Sequence, residues 1–364
     1  MEVLAFTKYN YSGASSRYRY YNYINCFQSH NINLSVSPFF SDSYFNSPSF
    51  FHKLVSVFIA YIHRIWLILV ILLFKKNNLI IIEYELIPYF PATFERLMKL
   101  RRIKYIVDYD DAIFHKYDKH KNVLIRWLFK NKIPYVMTNA ETVIVGNAYL
   151  QDFAKKHNSK TQLLPTVVQL KNYESSMNGI INKNDKSFII GWIGSKTTSQ
   201  YIFDILPALE KFVKTYDAKC HFVGFDENLL TNDIKEKCKI TIIPWSEQSE
   251  IKNMLEFDVG IMPLKDDAWS KGKCGFKLIQ YMSCKKPVVA SPIGVNTTIV
   301  TEGINGFLAT SNDQWFTAIE KLYHDKELRK SMANNNWKKI ISEYNYDLNC
   351  KKYVSSIKNI VGYD

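Results

Sequence analysis

Residues 266–290 read DDAWSKGKCGFKLIQYMSCKKPVVA: an acidic, glycine-bearing loop, then a helix that begins near Gly275 and runs to Cys284. Lys273, Gly275 and Lys277 put two cations and a bare backbone at that helix start, with Cys274 and Phe276 between them. Helix N-termini present unpaired N–H groups and a positive dipole end, so the combination suits a diphosphate. Leu278, Ile279 and Met282 would face the core. Gln280, about one turn beyond Lys277 on the loop-facing side, can hydrogen-bond a neutral hydroxyl such as that of a ribose.

Three further loops carry residues of chemical interest. Gly194-Ser195-Lys196-Thr197-Thr198 follows the apolar run FIIGWI and opens a helix, where small hydroxyl residues serve either as caps or as phosphate contacts. Tyr11 to Arg19 (YSGASSRYR) follows the first apolar run. Gly13, Ser15 and Ser16 allow close approach of a ligand, and Arg17 and Arg19 could meet phosphates; an ordinary polar loop reads equally well. Asp108, Asp110 and Asp111 end the run KYIVDYD and suit sugar hydroxyls, a divalent cation or a helix cap, sugar hydroxyls or a cap being preferred to metal.

These loops need strands behind them. Short apolar runs alternate with longer stretches of helical periodicity, the pattern of βα units and parallel sheets. In the first half the strand candidates are 2–6, 79–85, 104–110 and 142–146; in the second they are 187–193, 220–224, 240–244, 259–263, 287–291 and 306–309. Residues 171–186 (KNYESSMNGIINKNDK) read as a linker. The expected division is 1–178 and 179–364. Ile202, Ile205, Leu206, Leu209, Phe212 and Val213 share a helical face, started or kinked at Pro207. Residues 315–341 and 348–361 read as helices, the last able to pack back on the first domain.

The chain has 364 residues, enough for two domains, and its composition excludes disorder and a bundle of membrane helices. Its net charge is +13, with 24 Tyr, 23 Phe and 7 Trp. Basic plus aromatic composition fits nucleic acid, an anionic membrane or a phosphate-rich substrate. Residues 1–185 hold 23 Lys+Arg against 13 Asp+Glu, so most of the excess lies in the first half. The six cysteines are scattered, with no C-x-x-C and no Cys/His spacing for zinc, and read as reduced thiols. The opening MEVLAFTKYNYSG lacks a basic stretch followed by an apolar core, so no secretory signal is expected.

Residues 54–74 (LVSVFIAYIHRIWLILVILLF) are long and apolar enough to span a bilayer, but His63 and Arg64 lie at the middle and the strand run LIIIEYEL follows closely. A helix buried against a sheet is the preferred reading. A helix partly exposed toward a membrane, with Arg64, Lys75 and Lys76 reaching head groups, comes second.

With these residues in view, the chain resembles the family 4 retaining glycosyltransferases of the GT-B fold, in particular a bacterial branch that builds surface polysaccharides. The resemblance rests on SSRYR at 15–19, DYDDAIFHKYD at 108–118, IVGNAYLQDFA at 144–154, LLPTVV at 163–168, GWIGSKTT at 191–198, the run 260–284 and KPVVASPIGVN at 286–296. It implies an α/β chain of two Rossmann-like domains whose parallel sheets face across a cleft, with C-terminal helices. Three family positions differ. Two glutamates separated by seven residues in many members match Gly272 and Gln280 here, leaving Asp266 or Asp267 to meet the donor sugar. An arginine after the first strand of the second domain is replaced by Ser195 and Lys196.

The resemblance implies a nucleotide-diphosphate sugar as donor, bound by Gly194, Ser195, Lys196, Lys273, Cys274, Gly275, Phe276, Lys277 and Gln280, with no cofactor or metal. Fixed cations and N–H groups would take up the leaving group's charge. Asp110, Asp111 and Lys273 are the catalytic candidates. Gly13, Ser15, Ser16, Arg17, Arg19 and Asn147 would serve the acceptor, Asn147 being as readily a turn residue. A lipid-linked saccharide acceptor, an anionic membrane surface and a cytoplasmic, peripheral location at the inner face of the cell membrane complete the expectation. A nucleotide-sugar epimerase of the same fold is the alternative. A nucleic-acid-binding protein is the weakest reading, because the aromatics occupy core positions and no recognition motif appears.

Overall fold

The computed structural model describes residues 1–45, 49–74, 79–178 and 187–362. The first sheet contains β1 (Glu2–Tyr9), β2 (Asn33–Phe40), β3 (Leu79–Glu83), β4 (Tyr105–Tyr109), β5 (Thr142–Val145) and β6 (Thr161–Leu163). All pair in parallel, in the order β2-β1-β3-β4-β5-β6. The second contains β7 (Phe188–Ile193), β8 (Ala218–Val223), β9 (Ile240–Ile243), β10 (Val259–Met262), β11 (Val288–Ala290) and β12 (Gly306–Leu308). These too are parallel, in the order β12-β11-β10-β7-β8-β9. Strands such as β3 and β7 are apolar on both faces because helices cover both sides, and every residue of each is buried.

All six strands expected in the second half are present. Two in the first half escaped the sequence reading. β2 carries Pro38, which cannot donate to a ladder and is tolerated here on the sheet's edge. β6 is a three-residue strand on the opposite edge.

The chain forms two compact units: Met1–Thr166 with Gly272–Cys274 and Asp347–Asp364, and Val167–Lys271 with Gly275–Tyr346. Part of the expected linker is helical, Leu170–Asn178, with Tyr173 buried; residues 179–186 lie outside the described residues. In the second unit, Trp192, Phe212, Phe222, Trp315 and Leu322 belong to one core cluster. Pro207 sits in the first turn of the helix Leu206–Thr215, where its missing N–H costs nothing. The expected helix 315–341 is two helices, Asn312–His324 and Lys326–Glu343, because Asp325 caps the second by accepting from Leu328 N at 2.7 Å.

The last helix, Tyr346–Val361, joins the first unit from Asp347 onward. Its Tyr353 ring lies 5.5 Å from Tyr23 and 5.1 Å from Phe27. Its Cys350 is disulfide-bonded to Cys26, with Cα atoms 6.3 Å apart. The expectation of six reduced thiols is therefore corrected for this pair, whose separation of 324 residues no local spacing rule could reveal. His30 stands beside the two sulfurs, but their bond to each other occupies them.

The long apolar segment is the helix Phe50–Phe74, and the preference for a buried helix is overturned. Only Arg64, Ile68, Ile71 and Leu72 are buried, while Phe51, Phe58, Ile62, Trp66 and Leu73 are exposed. A spanning helix is equally excluded. The strands on either side, β2 and β3, both pair with β1 in the same sheet, so the helix is a crossover between them. Arg64 does not reach outward. It is 1% exposed, its Nη2 donates to the carbonyls of Thr7 and Ser37 at 2.9 Å, and its guanidinium lies over the Phe6 ring at 4.5 Å. Lys75 and Lys76 lie outside the described residues.

Candidate functional site

In an open parallel sheet the strand order reverses at one point, and the loops at the carboxyl ends of the two strands there diverge to leave a crevice. The first sheet reverses between β1 and β3, and the second between β7 and β10.

At the first reversal, Gly13 precedes the short helix Ala14–Arg19 and accepts from Arg17 N at 2.8 Å. That turn drops Ser15 and Ser16 onto the end of β3. Ser15 Oγ lies 2.8 Å from Glu83 Oε1, 2.7 Å from Asp110 Oδ2 and 3.1 Å from the Tyr84 hydroxyl. Ser16 Oγ donates to Glu83 Oε2 at 2.7 Å, and Lys8 N donates to the same oxygen at 2.7 Å. The Tyr84 hydroxyl donates to Asp110 Oδ1. Burial, reinforced by the neighbouring Asp110, pushes Glu83 up to about 7 despite these donors. Burial likewise raises Asp111 to about 6, opposed by Lys273 and assisted by Asp110.

Arg19 is not available to a phosphate. It is 3% exposed, and its guanidinium is spent on a fork with Asp108, Nε to Oδ2 at 3.0 Å, plus a 2.6 Å bond from Nη1 to the Leu164 carbonyl. The pair ties the helix after β1 to the end of β4. Arg17 is also buried, its guanidinium over the Tyr18 and Tyr11 rings at 5.1 and 5.7 Å. Both arginines are corrected from ligand candidates to positioning residues. Asn147 caps the helix Ala148–Lys155: its Oδ1 accepts from Leu150 N at 2.9 Å.

The amide of Asn147 has a second task. Its Nδ2 donates to the carbonyls of Gly272 and Lys273 at 2.9 and 3.0 Å. Cys274 Sγ donates to the Asp110 carbonyl at 2.8 Å. Residues Gly272–Cys274 therefore belong to the first unit, which places Lys273 beside Asp111. Gly272 packs directly on Ala112, and an added Cβ would run into that residue's side chain and backbone. The position matching a family glutamate thus has no room for a side chain here.

At the second reversal, Gly194 N donates to the Val223 carbonyl at 3.0 Å, and Ser195 starts the 3-10 helix Lys196–Ile205. Thr198 Oγ1 accepts from Ser195 N at 3.2 Å and donates to its carbonyl at 2.9 Å. Gly275, at φ +65, turns the chain through a left-handed conformation that disfavours other residues and starts the helix Phe276–Ser283. On its first turn Lys277 reaches back, with Nζ 3.1 Å from Thr198 Oγ1 and 4.4 Å from the centre of the Trp192 ring. The structure therefore brings Ser195, Thr198, Gly275 and Lys277 together. Lys196 is exposed and Gln280 buried. Asp266 pairs with Lys271 at 2.8 Å, and Asp267 accepts from Ser270 N at 2.7 Å, so each already has a local role.

Sequence reading missed Glu83 and Tyr84. The signal was present: an otherwise apolar strand, LIIIEYEL, ends in two carboxylates flanking a tyrosine.

Two doubly wound parallel sheets, each with its polar residues at the reversal, are the GT-B class of α/β protein. Residues 175–339 match the family described as glycosyl transferases group 1. An uncharacterised glycosyltransferase of Methanocaldococcus jannaschii is 27% identical over 147 residues, covering 32% of this chain and 38% of the relative's own length. The sucrose-phosphate synthase of Thermosynechococcus elongatus has a TM-score of 0.70 at 12% identity, over 100% of this chain and 99% of that one. HepE of Anabaena, solved in complex with UDP-glucose, has a TM-score of 0.67 at 14% identity, over 99% of this chain and 100% of its own.

Proposed function

We propose that the protein transfers a glycosyl group from a nucleotide-diphosphate sugar to a saccharide acceptor, with retention of configuration. The observation that carries this reading is Lys277, held by Thr198 and Trp192 at the β7/β10 reversal beside the N-terminus of its own helix. A diphosphate seated there meets an ammonium, small hydroxyls and the positive end of the helix Phe276–Ser283. As the sugar–oxygen bond breaks, negative charge grows on the departing phosphate, and fixed donors aimed at it lower the barrier. The acceptor hydroxyl attacks from the same face as the leaving group, which takes the proton, so no protein nucleophile is needed. The complex of HepE with UDP-glucose supports a uridine sugar nucleotide as the first donor to try.

The acceptor in this reading is a lipid-linked saccharide of bacterial surface polysaccharide synthesis, and the enzyme works at the inner face of the cell membrane. The serine and carboxylate groups at the β1/β3 reversal suit sugar hydroxyls. No cofactor or metal has a part in it. The test is a screen of sugar nucleotides for release of free nucleotide, with and without a lipid-diphosphate saccharide. Acceptor-dependent release with one donor is the expected result. An altered sugar nucleotide formed without acceptor would instead identify an epimerase.

A further inference from the structure

The helix Phe50–Phe74 exposes an apolar face that none of the described residues of the first unit covers. Phe51, Val55, Phe58, Ile59, Ile62, Trp66, Leu69 and Leu73 recur at helical spacing along it, and each is more than 40% exposed. At about 1.5 Å per residue the helix is roughly 37 Å long, so the stripe is far larger than the scattered apolar residues of an ordinary surface. It continues onto the next helix, Thr93–Leu100, where Leu100 is exposed and Arg101 Nε donates to the Leu72 carbonyl at 3.1 Å.

We infer that this face is a membrane-docking surface that lies flat in the interface of an anionic bilayer, with the helix parallel to the membrane plane. The opposite face is fixed to the sheet by Arg64, whose three carbonyl partners come from β1, β2 and the segment after β3. That anchor keeps the helix on the domain and sets which side faces outward. Exposed cations stand at both ends of the stripe: Lys53 at the first turn, and Lys99, Arg101 and Arg102 at the other. The first half of the chain is strongly basic as a whole. This charge attracts anionic head groups and opposes pairing with a second, equally basic copy. An aromatic and aliphatic stripe bounded by cations is the pattern of an interfacial helix.

The inference deepens the proposed reading by supplying the surface on which a lipid-borne acceptor lies. Its test uses no sugar nucleotide, so its failure and the failure of transfer are separate results. The full chain is sedimented with phosphatidylcholine vesicles with and without phosphatidylglycerol. Binding to the anionic vesicles, weakened by salt and reversed by alkaline carbonate, is expected. The double substitution Phe58→Ser/Trp66→Ser should reduce it roughly ten-fold or more. Ile59→Asn/Ile62→Asn on the same face provides a second variant, each pair being checked by an unchanged melting profile. Vesicle binding unaffected by both pairs would overturn the inference. So would retention through carbonate, which marks a span, or a stable dimer without vesicle binding that the same substitutions dissociate.

Discussion

The two sheet reversals are alike in topology and opposite in chemistry. At β1/β3 the residues are carboxylates and hydroxyls that already bond to one another, Glu83 to Ser15 and Ser16, and Asp110 to Ser15 and Tyr84. At β7/β10 an ammonium stands by a threonine and over an indole, at the start of the helix Phe276–Ser283. The difference teaches that one crevice is built as a preformed acidic frame, while the other, in the proposed reading, receives the anionic leaving group. Substitutions at the first should therefore register in stability, and those at the second in turnover.

The largest expected effect tests the frame. Arg19→Met leaves Asp108 buried without its counter-charge, and such breaks cost about 3–5 kcal/mol; chemical denaturation measures the loss. A cost below about 1 kcal/mol would show that the fork is no anchor. Lys277→Ala should instead leave the denaturation midpoint near the parent's while lowering donor turnover by about 10²–10³-fold, the usual loss when one leaving-group donor is removed. Turnover within a few-fold of the parent would remove the second crevice from the proposed reaction.

Glu83 gives the frame a pH signature. Its folded value of about 7 exceeds its ordinary 4.5, so between these limits the folded state binds more protons than the unfolded state. Unfolding free energy should therefore fall as pH rises from about 4.5 to 7, by roughly 3 kcal/mol for this group, and level off above. Asp111 adds a fall in the same direction up to about pH 6. Melting measured across that range should show a shallower decline in Glu83→Gln. An identical slope would place Glu83's titration elsewhere. The smallest effect is at Thr198→Val, which removes the oxygen shared by Lys277 and Ser195 and should cost about 1 kcal/mol.

The comparison also shows what the sequence could reveal. The β7/β10 residues were legible because each group lies at the start of a helix that follows a strand, residues 194–198 directly after β7 and Gly275 with Lys277 after the loop that follows β10. The frame was legible only in part. Asp110 and Ser15 announced themselves at strand ends, but Arg19 and Asp108 are 89 residues apart, and their mutual neutralisation follows from the sheet order alone. The same is true of Asn147 and its hold on Gly272, 125 residues away. Hydropathy found the segment 54–74 of the helix Phe50–Phe74 but misjudged its burial, since a pattern apolar all round does not say which side a sheet covers.

The path of the chain has a consequence for synthesis. The second unit is an insertion in the first: residues 167–271 and 275–346 emerge from the ribosome before the first unit receives its last helix. Until Tyr353 and Cys350 arrive, Tyr23, Phe27 and Cys26 lack these partners, although all six strands of their sheet have been made by Leu163. The sheet of the first unit thus precedes, by the whole of the second unit, the helix that packs on Tyr23 and Phe27, and contacts so distant in sequence are the slow ones to form.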